Sequence, residues 1–70
     1  MRLDQKQIGK RIERRRKKLK FSQTELGDKI GIAQTSISEW ESGMRWIRPD
    51  AIKALARALK TTIEYLMIGI

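Results

Sequence analysis

The residues of this sequence that could do chemistry are mainly its cations. Eight of the eleven residues in the run KRIERRRKKLK (10–20) are lysine or arginine. The 70-residue chain carries 16 Lys/Arg against 8 Asp/Glu, which gives a formal net charge of +8. A basic surface of this density attracts polyanions. The alternatives are a helix face that only keeps the protein soluble, or an anionic membrane surface. The membrane is the weaker of the two, because the run lacks a wide apolar face with aromatic residues.

Catalytic chemistry has little support in the sequence. The chain contains no histidine and no cysteine, so the usual general base, the thiolate nucleophile and the usual zinc ligands are all missing. The acidic residues are scattered and form no paired-carboxylate cluster, and no phosphate-binding loop is present. We therefore expect no enzymatic activity, no metal, no cofactor and no small-molecule substrate.

The length and the apolar spacing predict one all-α domain over residues 1–70. The spacing is helical throughout, without a sustained period-two strand. Helix starts are marked by Asp4, by the S-x-x-E capping box of Ser22 and Glu25, by Pro49 and by Thr62. These signals predict five helices: one after residue 4, then 23–30, 33 or 34 to 42, 49 to about 60, and a short last helix after 62. No apolar run approaches the ~20 residues of a membrane span, and no signal-peptide core is visible. We expect a cytoplasmic protein that is not bound to a membrane.

Two glycines determine how the second and third helices meet. Gly27 interrupts the interior of the second helix, where glycine costs about 1 kcal/mol relative to alanine. The link between the two helices, residues 31–33, is so short that they must cross closely. Gly27 would remove a side chain at that crossing, and Gly31 would supply the positive φ that starts the turn. This arrangement predicts a helix-turn-helix.

One charged residue falls on an inward-facing stripe. Arg16 follows Ile12 on the apolar face of the first helix, and an unpaired buried charge is very costly. Glu41 lies four residues after Ile37 and therefore also faces partly inward. We predict an Arg16–Glu41 ion pair that joins the first helix to the third.

The stretch QTELGDKIGIAQTSISEWES (23–42) resembles the DNA-binding helix-turn-helix of phage repressors and Cro proteins of the lambda type. The segments GKRIERRRKKL (9–19) and TIEYLMIG (62–69) are similar to the first and last helices of that family. The resemblance implies a lambda repressor-like five-helix bundle and a sequence-specific transcriptional regulator that binds a palindromic operator in double-stranded DNA. The sequence departs from the family pattern at Ala33, where a polar cap is common, and at Lys20, where glycine is common.

The resemblance also implies roles for individual residues. The second helix of the motif enters the major groove, and its N-terminal residues contact base edges. Base contacts are expected from Gln34, Thr35, Ser38 and Glu39. Gln34 could bond adenine bidentately, whereas an ion pair with a neighbouring cation is the favoured alternative for Glu39. Phosphate contacts are expected from Ser22, Gln23, Arg16, Arg45 and Arg48. Gln23 is also expected to brace Gln34.

A weak homodimer, formed or strengthened on the DNA, is the second expected partner interaction. Four large residues have no slot in the inward stripes and could form its contact surface: Trp46, Ile47, Tyr65 and Ile68. The alternative is that Trp46 covers the small core. Two other functions fit the same scaffold, namely an antitoxin-like or adaptor module that binds another protein, and a restriction–modification control protein.

Overall fold

The structure is a computed structural model that describes residues 3–70. These residues form five α-helices: α1 (Gln5–Lys18), α2 (Gln23–Ile30), α3 (Gln34–Ser42), α4 (Pro49–Ala58) and α5 (Ile63–Ile68). No strand occurs within residues 3–70. The all-α five-helix bundle with α2 and α3 as its helix-turn-helix is thereby confirmed. None of these helices has the length and apolar character needed to cross a membrane.

The helix starts follow the capping signals of the sequence. The Asp4 carboxylate accepts hydrogen bonds from the backbone N–H groups of Lys6 and Gln7. Ser22 and Glu25 form a reciprocal capping box, with bonds of 3.0 and 2.8 Å. By contrast, no side chain caps the first turn of α3, because Ala33 occupies its N-cap. The first backbone N–H groups of α3 therefore lack a side-chain acceptor within the described residues.

Helices α1 and α4 are each followed by a lysine with a left-handed backbone conformation. Lys20 and Lys60 adopt left-handed backbone conformations, with φ of 62° and 54°. In each case two backbone bonds close the turn, for example Phe21 N–H to Arg16 C=O at 3.1 Å. Both ends are therefore Schellman motifs in which lysine occupies the position that glycine usually fills. The left-handed Lys60 ends α4 at Ala58, two residues before the expected end.

Side chains from all five helices form the core. Six side chains have less than 2% of their surface exposed: Ile12, Leu26, Ile37, Leu55, Leu59 and Leu66. Ile47 also belongs to the core, with 8% of its surface exposed. The expectation that Ile47 is part of an exposed dimer surface is therefore wrong. The loop between α3 and α4 places this side chain in the core cluster.

Two close backbone contacts require glycine. A Cβ on Gly27 would clash with the carbonyl oxygen of Ile32 in the turn. The missing side chain thus makes room for the turn itself, next to the start of α3. A Cβ on Gly9 would lie 2.5 Å from the carbonyl oxygen of Glu41. Gly9 therefore lets α1 and α3 approach closely, a role that the sequence reading did not identify.

Candidate nucleic-acid interface

The first turn of α3 presents two polar side chains to solvent. Gln34 and Thr35 are the first two residues of the helix, and both are exposed. Ser38 and Glu39 follow one turn later and are half-buried. The helical repeat places all four on the outward side, because Ile37 and Trp40 occupy the inward side. The structure therefore brings the four expected base-contacting residues together on one surface.

A hydrogen-bond chain leads from this surface into the core. Gln34 Nε2 donates to Gln23 Oε1 at 2.7 Å. Gln23 Nε2 in turn donates to Glu41 Oε1 at 3.0 Å. The second N–H and the carbonyl oxygen of Gln34 make no further hydrogen bond in the described part of the chain. These two free groups are the donor and acceptor that a bidentate contact to adenine requires.

The hydrogen-bond chain from Gln34 ends on a buried ion pair. Arg16 Nε and Glu41 Oε2 lie 2.6 Å apart, and a second bond joins Arg16 Nη2 to Glu41 Oε1 at 3.0 Å. Arg16 Nη1 donates to the carbonyl oxygen of Phe21 at 2.7 Å. The hydrogen bond to Glu41 raises the pKa of Arg16, against the lowering effect of burial. The expected Arg16–Glu41 pair is present. It holds the Glu41 carboxylate in place, and this carboxylate in turn orients Gln23 and, through it, Gln34.

The same geometry leaves Arg16 little exposed for its expected contact with phosphate. Its side chain is only 10% exposed, and its donors point at Glu41 and Phe21. These bonds use three of the five N–H groups of the guanidinium, and the expected phosphate contact of Arg16 stays a prediction that only the two remaining N–H groups could fulfil.

Two further arginines of the basic run also serve the fold. Arg15 donates through Nε and Nη2 to the carbonyl oxygen of Leu59, and through Nη2 to that of Lys60. Arg11 Nη1 donates to the carbonyl oxygen of Leu66 at 3.2 Å. These bonds satisfy carbonyl groups at the C-terminal ends of α4 and α5. The sequence gives no direct signal for them, since the partners are 44 and 55 residues away.

The remaining expected phosphate contacts lie at the surface. Arg45 Nε pairs with Glu39 Oε1 at 2.9 Å, and Arg48 Nε pairs with Asp50 Oδ1 at 3.5 Å. Exposed pairs of this kind contribute about 0–1 kcal/mol, so either arginine can exchange its carboxylate for another anion at little cost. Ser22 accepts from the Glu25 backbone N–H and gives its own N–H to the Glu25 carboxylate. Only its hydroxyl hydrogen is left for an anion.

The other three residues of the expected dimer surface lie in two places. Trp46 is 53% exposed in the loop after α3, whereas Trp40 is 2% exposed in the core. Trp46 lines a cleft beside the outward side of α3, together with Arg45 and Arg48. Tyr65 and Ile68 lie on α5 and are half-buried. Trp46 therefore neighbours the candidate interface, and about half of its surface is exposed.

Residues 12–66 match the model of a protein family described as helix-turn-helix. The chain belongs to this helix-turn-helix family. Among its relatives, repressor protein C2 of Salmonella phage P22 is 39% identical over 62 residues, which cover 89% of this chain and 29% of the relative. The transcriptional regulator DicA of Escherichia coli is 34% identical over 62 residues, covering 89% of this chain and 46% of DicA. The match to a phage repressor confirms the resemblance drawn from the sequence.

Solved helix-turn-helix structures show the same fold. The P22 c2 repressor protein in complex with synthetic operator 9T aligns with a TM-score of 0.87 at 38% identity, covering 90% of this chain and 96% of that chain. The restriction–modification controller protein C.AhdI from Aeromonas hydrophila aligns with a TM-score of 0.86 at 26% identity, covering 91% and 97%. The chain spans between 29% and 46% of the length of the curated relatives it matches.

Proposed function

We propose that this chain is a sequence-specific, double-stranded DNA-binding transcriptional regulator of the phage-repressor type. The observation that carries the proposal is the exposed Gln34, braced through Gln23 on the buried Arg16–Glu41 pair. A side chain held in one orientation on a rigid helix can discriminate between bases, because little freedom is lost on binding. The relatives are transcriptional regulators, and this chain acts in the same way, by binding and without catalysis, cofactor or metal.

In the proposed complex, α3 lies in the major groove with its N-terminus towards the base edges. Gln34 accepts from adenine N6 and donates to N7, a contact that discriminates by roughly 1–3 kcal/mol. Thr35 and Ser38 supply smaller contacts from the same surface. Glu39 could accept from cytosine N4 through Oε2, because its pair with Arg45 uses Oε1; the ion pair alone is the favoured alternative.

Phosphate contacts hold the domain in register on the duplex. The second N–H of Gln23 and the hydroxyl of Ser22 lie at the N-terminus of α2, where backbone N–H groups favour an anion. Arg45 and Arg48 act on the other side of α3. The Glu25 carboxylate stands beside Ser22, so a phosphate approaches more easily from the Gln23 side.

The domain, residues 1–70, binds its operator as a weak homodimer formed or strengthened on the DNA. One domain contacts few bases, and two-fold symmetry matches a palindromic site with half-sites about 34 Å apart. Trp46 is the exposed aromatic anchor of this contact, with Tyr65 and Ile68 as the second candidate surface. The setting is the cytoplasm of a bacterium or of a phage-infected bacterium, where the protein is bound to the nucleoid and repression is the expected mode.

Selection of bound duplexes from a random pool, at two salt concentrations, tests the proposal. We expect an enriched palindrome with an adenine-dependent position in each half-site. The sequence enriched by the Gln34→Ala variant should no longer prefer adenine at that position, while its preference at the other positions is unchanged. Flat enrichment at both salt concentrations would overturn the proposal and favour a module that binds another protein.

A restriction–modification control protein is the second candidate, favoured by the similarity to C.AhdI over most of both chains. The selected sequence discriminates between the two candidates when it is compared with the DNA beside the gene. A site upstream of a restriction or methyltransferase gene would support the control protein, and a site in a prophage would support the phage-type regulator.

A further inference from the structure

A groove of about 660 Å³ lies between α2 and α4, and no residue of α3 lines it. Its floor is apolar and consists of Phe21, Ile30, Ala54 and Ala58. The two alanines are one helical turn apart on α4 and are half-buried. Their small side chains leave the space between the two helices open. The groove is therefore distinct from the candidate nucleic-acid interface.

The rim of the groove is entirely basic. Lys29, Arg57 and Lys60 line it, and no aspartate or glutamate does. None of these three cations forms an ion pair with a carboxylate in residues 3–70. The ammonium group of Lys29 lies 4.8 Å from the centre of the Phe21 ring, a cation–π contact that holds it over the floor. The groove thus combines an apolar floor with unpaired positive charges.

We propose that this groove binds an acidic amphipathic segment of a partner protein. Apolar side chains of the segment cover Ile30 and the two alanines, and its carboxylates pair with Lys29, Arg57 and Lys60. An amphipathic helix in an apolar groove is a recurring mode of peptide recognition. A groove of this volume falls within the roughly 300–1,000 Å³ of clefts that bind ligands. None of the residues proposed to contact DNA lines the groove, so a segment bound there leaves their side chains uncovered.

Nucleic acid fits the groove less well than a peptide does. A phosphate backbone carries no apolar group that could cover Ile30 or the alanines. A base cannot stack on the face of Phe21 that Lys29 already covers. The charge complementarity is shared by both ligands, so the apolar floor decides in favour of the peptide.

The probe for the test is a fluorescein-labelled synthetic helix with leucines on one side and glutamates on the other. Three comparison ligands are used: the same peptide with serine for leucine, the same peptide with lysine for glutamate, and a random-sequence duplex. Binding to the full chain is measured by anisotropy and mapped by backbone amide chemical shifts. We expect the acidic leucine peptide to bind and to shift the amides of the groove, while those of Gln34 and Thr35 stay in place.

Protein variants separate the floor from the rim. Ala54→Leu fills the floor without changing charge and should weaken the peptide at least about tenfold, as expected when an apolar pocket is closed. Arg57→Glu replaces attraction by repulsion at the rim and should weaken it about two- to thirtyfold. Lys53→Glu is the matched control, because Lys53 is an exposed cation of α4 outside the groove. Its effect should be under twofold.

Several results would overturn this proposal. One is a serine peptide that binds as tightly as the leucine peptide, because charge alone would then explain binding. Others are equal losses for Arg57→Glu and Lys53→Glu, amide shifts confined to α3, or a random duplex that shifts the groove residues. Thermal melting confirms that Ala54→Leu is folded, and Arg57→Glu provides an independent test if it is not. Operator selection is scored separately, so failure here leaves the DNA-binding proposal intact.

Discussion

Removing one member of the buried ion pair should cost this domain a large part of its stability, and Glu41→Ala tests this directly. The substitution leaves the Arg16 guanidinium about nine-tenths buried without its carboxylate. Removing one member of a buried pair costs about 3–5 kcal/mol. A domain of this length has a total stability of about 3.5–10 kcal/mol. Glu41→Ala should therefore lose about 30% or more of the free energy of unfolding.

Urea denaturation and thermal melting, both followed by circular dichroism, measure the loss of stability. Each kcal/mol shifts the thermal midpoint by about 4–8 °C in a domain of this size, so the midpoint should fall by at least about 12 °C. Glu39→Ala is the matched control, since Glu39 lies on the same helix and pairs with Arg45 at 2.9 Å in an exposed position. Its loss should stay below about 1 kcal/mol. Similar losses for the two variants would refute the reasoning from burial.

A double substitution separates stability from recognition. Arg16→Met with Glu41→Leu replaces the pair by apolar side chains of similar volume, a change that is often neutral or stabilising. It also removes the acceptor of Gln23 Nε2. The double variant should therefore fold while its discrimination at the base pair read by Gln34 falls towards that of Gln34→Ala. Full discrimination in a well-folded double variant would show that the hydrogen-bond chain does not orient Gln34.

Three other predictions concern the interface and the helix ends. Gln34→Ala should lose about 1–3 kcal/mol of discrimination at one base pair, while the salt dependence of its binding constant stays unchanged. Arg48→Ala should weaken binding to all duplexes alike and reduce the slope of log K against log salt by about 1. Anisotropy titrations on specific and random duplexes over a salt series measure both effects, and equal behaviour of the two variants would contradict this division. Lys20→Gly should raise the free energy of unfolding by about 1 kcal/mol, since φ is 62° there. Lys53→Gly inside α4 should lower the free energy of unfolding by about 1 kcal/mol. Lower thermal midpoints for both variants would refute the strain at Lys20. The pKa of Glu25 lies below its ordinary value because the backbone N–H of Ser22 donates to its carboxylate. The ionised carboxylate therefore stabilises the fold above the ordinary pKa, and this contribution is lost as the pH falls through the depressed value. Glu25→Gln should flatten the acid side of the stability–pH profile, and an unchanged profile would show that Glu25 is not the group responsible.

The sequence predicts the local structure of this domain well because local signals carry it. The bounds of α2 follow from the capping box of Ser22 and Glu25 at one end and from Gly31 at the other. The Arg16–Glu41 pair was predictable because both residues fall on inward positions of neighbouring helices. In each case the deciding information lies within a few residues of the feature itself, or in one helical repeat.

The features that were missed depend on packing between distant parts of the chain. Arg11 and Arg15 belong to the same basic run as the exposed cations, and only the positions of α4 and α5 reveal which carbonyl groups they reach. Gly9 was overlooked for the same reason, since its neighbour is the backbone of α3. Ile47 lies in a loop without periodicity, so no pattern could indicate that its side chain turns inward.

The unequal exposure of the two tryptophans gives the protein two separate optical reporters. Trp40 is 2% exposed, so the largest change in its emission comes when the helices separate and water reaches the indole. Trp46 lies in the cleft with Arg45 and Arg48, so a ligand that occupies this cleft changes its quenching by acrylamide while the fold stays intact. A Trp46→Phe protein retains the first signal alone. Comparison of this variant with the unsubstituted protein separates unfolding from occupancy without attaching a dye.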